Sequence, residues 1–262
     1  VGMVSIMSSC GSDGEKSTVI DASNADQTLD AAAEADAKIT EAVKLIDAIG
    51  TVSINSKAAI DAANEAYKAL STENKAKVTN YSVLEAAETQ YKALAQVEKD
   101  KIIETYKANF EIDEDKVEGI TWFYPNNMPD YIDTRSYIIP YVGLKNGNMW
   151  ICVRYNYTGD DWVFWENLTI VSDGERSYKM VGAFNTVRDN GGGEVWEYYD
   201  DPLDYNQAMD SSDLKTLEKI GNSTETIIRF QGDDYSYDLE VSDKDKAMIR
   251  DVLEMYSAYI AY

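Results

Sequence analysis

The chain has 262 residues, enough for one large domain or two modest ones, with 47 acidic against 24 basic residues and a net charge of −23. Such a surface is soluble and repels phosphate backbones and anionic headgroups, which disfavours nucleic-acid binding and electrostatic adsorption to membranes. Histidine is absent and only Cys10 and Cys152 carry thiols, so histidine acid–base catalysis, histidine-ligated zinc or haem, and thiolate metal clusters are excluded.

Residues 1–9 are a short apolar run ending in the small pair Ser8-Ser9, followed by Cys10 and then by Gly11-Ser-Asp-Gly14. This arrangement resembles the lipobox that closes a bacterial lipoprotein signal peptide. The resemblance implies that residues 1–9 are a signal remnant, that cleavage falls before Cys10, and that its thiol carries a lipid anchor. Residues 10–26 then read as a flexible polar tether. No other run is long enough to span a bilayer.

Residues 27–112 carry Ala, Glu and Lys at helical spacing. Leu29, Ala32, Ile39, Val43 and Ile46 mark one stripe, with Gly50 as a C-terminal stop. Asn55 or Ser56 caps a second helix whose Ile60, Ala63, Tyr67 and Leu70 share a face. Ser71-Thr72 opens a short third helix. Ser82-Val-Leu-Glu85 has capping-box spacing and opens a fourth, with Leu84, Ala87, Tyr91 and Leu94 on one face and Phe110 near its end. The segments Ile46-Asp-Ala-Ile-Gly50, Ser56-Lys-Ala-Ala-Ile60, Ala66-Tyr67-Lys-Ala-Leu70 and Lys77-Val-Thr-Asn80-Tyr-Ser-Val-Leu84 look like a helical module of secreted and surface proteins of Gram-positive bacteria. The resemblance covers about residues 39–95. It implies a surface location and a spacer or interaction role, with no catalytic residues.

Lys107 to Lys116 reads as a boundary, after which the period changes to two through residues 113–262. Strands are expected at Val117–Tyr124, Tyr137–Leu144, Met149–Tyr157, Trp162–Val171, Arg176–Met180, Val195–Tyr198, Thr226–Gln231 and Tyr235–Val241. Three of these, from Met149 to Met180, read as one meander turned at Thr158-Gly-Asp-Asp161 and at Asp173-Gly174. Pro140 predicts an edge position or a bulge. Short and terminal helices are expected from Ser212 or Asp213 to Gly221 and from Ser242 onward. The fold class is therefore α+β: an N-terminal helical bundle or hairpin, then an antiparallel β-sandwich-like domain with a C-terminal helix. This second half resembles C-terminal domains of Gram-positive surface proteins through Asp160-Asp-Trp-Val-Phe164 and Ile228-Arg-Phe-Gln-Gly232, and the resemblance implies no activity.

On the first strand of the meander Met149, Ile151, Val153, Tyr155 and Tyr157 share one face, and Trp150, Cys152 and Arg154 the other. Cys152 is expected to be a small buried hydrophobe, unpaired with Cys10. On the next strand Trp162 and Phe164 fall in phase with Leu168 and Ile170 and are expected in the core. Trp165 falls opposite, as a ligand platform or a contact for the terminal helix. Trp122 and Trp196 are further platform candidates. Carboxylates beside such rings are what glycosidases use, and Glu166, Glu194 and Glu197 are the candidates. The commoner arrangement with this pattern is a β-domain with acidic turns and no catalysis. Asp113/Asp115/Glu118 and Asp200/Asp201/Asp204 offer oxygens without the pattern of a calcium loop, so neither metal nor cofactor is expected. Asp189-Asn-Gly-Gly-Gly-Glu194 reads as a flexible loop. The expectation is a lipid-anchored protein of the extracellular membrane face that binds an extracellular protein or glycan; the alternative is a carbohydrate-active protein.

Overall fold

The structure, a computed structural model, describes residues 22–182, 184–202 and 210–262; Cys10, residues 1–9 and most of the tether lie outside them. The chain divides into two compact units, one ending at Lys92 and the other comprising Ala93–Tyr262, and the architecture is α+β.

In the first unit, α1 (Ala22–Ala48) begins within the span read as tether and ends just before Gly50. Of the expected stripe Ile46 is buried, Ile39 and Val43 are half-buried and Ala32 is exposed, while the Leu29 side chain lies outside those described; Ala42 and, just past the helix, Ile49 complete the buried side. A 3-10 turn at Ile54–Ser56, closed by a reciprocal Ser53/Ser56 capping box, leads into α2 (Lys57–Lys68), which buries Ile60 and Ala63. Ser71 caps the single-turn α3 (Thr72–Lys75). The next helix, α4 (Tyr81–Tyr106), starts earlier than its sequence suggests, so Ser82 sits inside the first turn instead of capping it. Asn80 precedes the helix, and its Nδ2 donates to the Val43 carbonyl (2.9 Å) and to Asp47 Oδ1 (2.8 Å), tying the start of α4 to α1.

In the second unit the elements run β1 (Phe110–Asp115), β2 (Ile120–Pro125), β3 (Tyr137–Lys145), β4 (Asn148–Gly159), β5 (Asn167–Ser172), β6 (Glu175–Met180), β7 (Val187–Gly191), β8 (Glu194–Asp201), α5 (Ser211–Asn222), β9 (Thr226–Gln231), β10 (Ser236–Glu240) and α6 (Asp243–Ile260). Among the described residues they form a six-stranded sheet in the order β1-β2-β3-β4-β8-β7 and a four-stranded sheet in the order β10-β9-β5-β6. All pairings are antiparallel.

The expected meander is therefore corrected: β4 and β5 lie in different sheets, and only β5–β6 is a hairpin, turned through Asp173 (φ 47°) and Gly174 (φ 85°). Phe110–Asp115, read as helix end and boundary, is an edge strand. The segment from Asp189 to Glu194 is no loose loop: Asp189–Gly191 end β7, Glu194 begins β8, and Gly192-Gly193 form the two-residue turn of the β7–β8 hairpin. Pro140 lies on an internal strand, where it is tolerated because the β2 ladder ends at Phe123↔Val142 and β3 pairs only with β4 beyond it.

One hydrophobic core takes side chains from both sheets and from the helices: Ile151, Val153 and Tyr155 of β4, Leu168 and Ile170 of β5, Ile228 and Phe230 of β9, and Ile249, Val252 and Met255 of α6. Burying each such side chain contributes about 1.5–3 kcal/mol. Ile102, Ile103 and Tyr106 of α4 pack against its margin. Ser242 Oγ accepts from the Asp245 amide (3.1 Å) at the start of α6, and the buried Asp245 carboxylate receives both arms of Arg135 (2.6 and 3.0 Å).

Between the sheets the chain crosses at Asp160–Glu166, and here the expected register reverses. Phe164 has φ 53°, outside the extended region, so alternation is interrupted. Val163 and Trp165 turn inward, Trp165 at 0 % exposure, while Trp162 is half-buried and Phe164 is 51 % exposed. Trp162 packs against the margin of the core, and Phe164 stacks on its outer side, centroids 5.6 Å apart.

Candidate functional site

The six-stranded sheet has a second face, turned away from this core. Residues opposite one another in an antiparallel pair share a face. The register thus places Trp122 with Gly143 and Trp150, Tyr141 with Cys152, and Arg154 with Asp200 on one side of the sheet. Ile120, Tyr141, Trp150 and Cys152 are buried there, with Trp122, Tyr124 and Met128 half-buried against them.

Gly143 is what lets the floor close. A Cβ at that position would lie 2.2 Å from Trp150 Cζ2 and 2.8 Å from Trp122 Cζ3, so any side chain would lift both indoles. Trp122 stands edge-on to Trp150 (5.5 Å), tilts over Tyr141 (5.6 Å) and lies near-parallel to Tyr124 (6.4 Å); Tyr124 in turn stacks on Tyr141 (5.2 Å). Arg154 continues the row, with its guanidinium 5.9 Å from the Tyr141 ring and 5.3 Å from the Tyr198 ring. Asp200 holds it in a fork of two 2.8 Å bonds. Burial raises the Tyr124 and Tyr141 hydroxyls above the ordinary phenol range, so both stay protonated and can donate. A cavity of about 270 Å³ opens beside this floor, lined by Tyr124, Met128, Pro129, Arg154 and the carboxylates of Glu111 and Asp130.

Of the residues expected from sequence, the structure places Trp122 in this floor. Trp196 lies half-buried on the same side of the sheet, paired with Thr158 and packed over Gly191. Trp165 is no platform: it is enclosed in the core, edge-on to Phe230 at 5.2 Å. The carboxylates do not assemble beside the rings, because adjacent strand residues point to opposite faces. Glu197 is turned away from its neighbour Trp196 and is 0 % exposed. Its oxygens accept from the Val163, Phe164 and Trp165 amides (2.7, 2.7 and 3.1 Å) and from Arg188 Nε (3.0 Å). Glu194 is exposed at the β7–β8 turn, and Glu166 is half-buried at the entry to β5.

Asp200 and Asp201 likewise face opposite ways, the second paired with Lys179 (2.5 Å), which also reaches Asp213 (2.6 Å). Asp200 is thus paired with Arg154, and Asp201 shares the single charge of Lys179 with Asp213; Asp204 lies outside the described residues. Asp115 turns its Oδ1 to the Val117 and Glu118 amides. Among the described residues no group of three or more metal-ligating side chains converges.

Tyr124, Tyr141 and Gly143 were not singled out from sequence, and Asp200 was singled out only as an oxygen donor of an acidic run, not as the partner of Arg154. The available signal was the strand Met149–Tyr157, apolar on both faces, which implies a second covered surface beneath Trp150, Cys152 and Arg154. Cys152 is free and buried, and burial, with Asp200 adding to it, pushes its thiol up to about 12. At pH 8 about one such thiol in ten thousand is ionised. Iodoacetamide should therefore modify Cys152 in the unfolded protein only; peptide mapping that finds it alkylated within minutes in the native protein would contradict this placement.

The chain matches no protein-family model, no curated protein and no solved structure.

Proposed function

We propose that the protein is a lipid-anchored, non-catalytic binding protein of the extracellular face of the bacterial membrane, which meets its ligand on the aromatic side of the six-stranded sheet. The observation that carries the binding surface is the ring floor built over Gly143, with Trp122 and Tyr124 left half-buried and a cavity beside them. The anchor rests on the sequence around Cys10. The engagement of Glu197 by backbone amides and Arg188 supports the non-catalytic reading, since it removes the best-placed carboxylate from acid–base work. Expressing the complete gene in a Gram-positive host and fractionating the cells tests the anchor. The unaltered protein should stay with the membrane and Cys10→Ser should be released to the medium; equal release of both would end the claim.

A second reading, that the extracellular ligand is a glycan, is favoured by Trp122 and Trp196 lying half-buried on one side of one sheet. Rings presented in that way stack on the apolar faces of sugars. A glycan array should return binders that Trp122→Ala weakens at least about tenfold. An array with no binder would leave a protein as the ligand, and turnover of any fluorogenic glycoside would overturn the non-catalytic reading.

A further inference from the structure

The ring floor has a charged margin. The edge strand β1 pairs with β2 so that Glu111 lies opposite Tyr124 and Asp113 opposite Trp122. Cross-strand partners share a face, so each half-buried ring has a carboxylate directly beside it. Asp130 adds a third across the cavity that Tyr124, Met128 and Arg154 line. Among the described residues, no hydrogen bond or ion pair engages the Glu111, Asp113 or Asp130 side chain, and all three are exposed. Among the described residues that line the cavity Arg154 is the one cation, and its charge is offset by the two-pronged pair with Asp200. The site thus presents flat rings inside a net negative field. Its volume of about 270 Å³ lies at the small end of ligand pockets and suits one ring-sized group.

We infer that this site takes amino-sugar units bearing a protonated amine, with the pyranose faces on Trp122 and Tyr124, the ammonium of one unit at the cavity between Glu111 and Asp130, and that of a neighbouring unit beside Asp113. This rests on the glycan reading and deepens it. An ammonium gains from both components, attraction to ring faces and to carboxylates, whereas an anionic sugar meets repulsion from the same acids. Acidic residues on an edge strand also discourage strand-to-strand association, a role that predicts no sugar preference at all.

The discriminating probes are the chitosan hexamer, with free amines, and the chitin hexamer, its fully N-acetylated counterpart, titrated calorimetrically into the protein. The free-amine hexamer should bind at least about tenfold tighter. Because a chain of charge −23 attracts any polycation, two charge-matched variants are compared. Glu111→Gln/Asp113→Asn/Asp130→Asn should reduce the preference to within about twofold, while Asp233→Asn/Asp234→Asn/Glu240→Gln, on exposed positions of the β9–β10 hairpin, should keep it. Equal loss in both variants, or a preference that survives in both, would assign the effect to overall charge and overturn the inference. Chitin hexamer binding as tightly as the free-amine form, and weakened by Trp122→Ala, would overturn the amine while leaving the glycan reading in place. Binding of neither hexamer, together with an array that returns no other glycan, would remove both.

Discussion

Glu197→Ala is expected to destabilise the Ala93–Tyr262 unit by about 3–5 kcal/mol, the cost of breaking a buried charged pair from one side. The Glu197 carboxylate receives three consecutive amides, Val163 to Trp165, together with Arg188. Truncation would leave those donors buried without an acceptor, each costing about 1–3 kcal/mol. Arg188 would lose its carboxylate as well. All five tryptophans lie after Lys92, so urea unfolding followed by tryptophan fluorescence reads this unit alone. Glu197→Gln should also destabilise, because its amide nitrogen would place a donor where amides converge. A loss below about 1 kcal/mol in the alanine variant would mean that the crossing segment is held by something other than this carboxylate.

That carboxylate also explains where the sequence was legible and where it was not. Elements whose signals are local are visible in the chain alone: Ser242 before α6, Asp173-Gly174 between β5 and β6, and the burial of Ile46 near the end of α1. The crossing from β4 to β5 has no such signal. Trp162-Val-Phe-Trp-Glu166 is rich in strand formers, and nothing in it discloses that Glu197, more than thirty positions later, will capture its amides. Tertiary hydrogen bonding therefore overrides strand propensity there, and the phase of the residues from Trp162 to Trp165 reverses.

The binding face was half-legible for a related reason. Alternation alone puts Trp150, Cys152 and Arg154 opposite the core, but which strands flank them depends on sheet order. The acidic segment from Glu111 to Asp115 reads as a solvated boundary until β2 pairs with it. Only then do its carboxylates stand beside Trp122 and Tyr124. The same residues are thus unremarkable as a charge run and specific as a sheet edge.

Trp165→Ala is expected to cost about 3–5 kcal/mol, while Phe164→Ala, one residue away, should change stability by less than about 0.5 kcal/mol. Trp165 is fully enclosed, meets Phe230 edge-on and donates its Nε1 to the Glu197 carbonyl (3.2 Å). Its removal opens a cavity at the point where the two sheets share one core, and leaves that carbonyl without its indole donor. Phe164 is half exposed, stacked on Trp162 with the Arg188 guanidinium 5.6 Å from its ring, and its left-handed φ is carried by the backbone, not by the ring. Urea unfolding of the two variants should separate them clearly, with circular dichroism as the probe because Trp165→Ala removes one of the fluorophores. Exchange of the two outcomes would restore the uninterrupted strand from Trp162 to Val171 and place Phe164, not Trp165, inside. It would also detach Glu197 from its amides, since the carboxylate can meet Val163 to Trp165 only if the chain turns at Phe164.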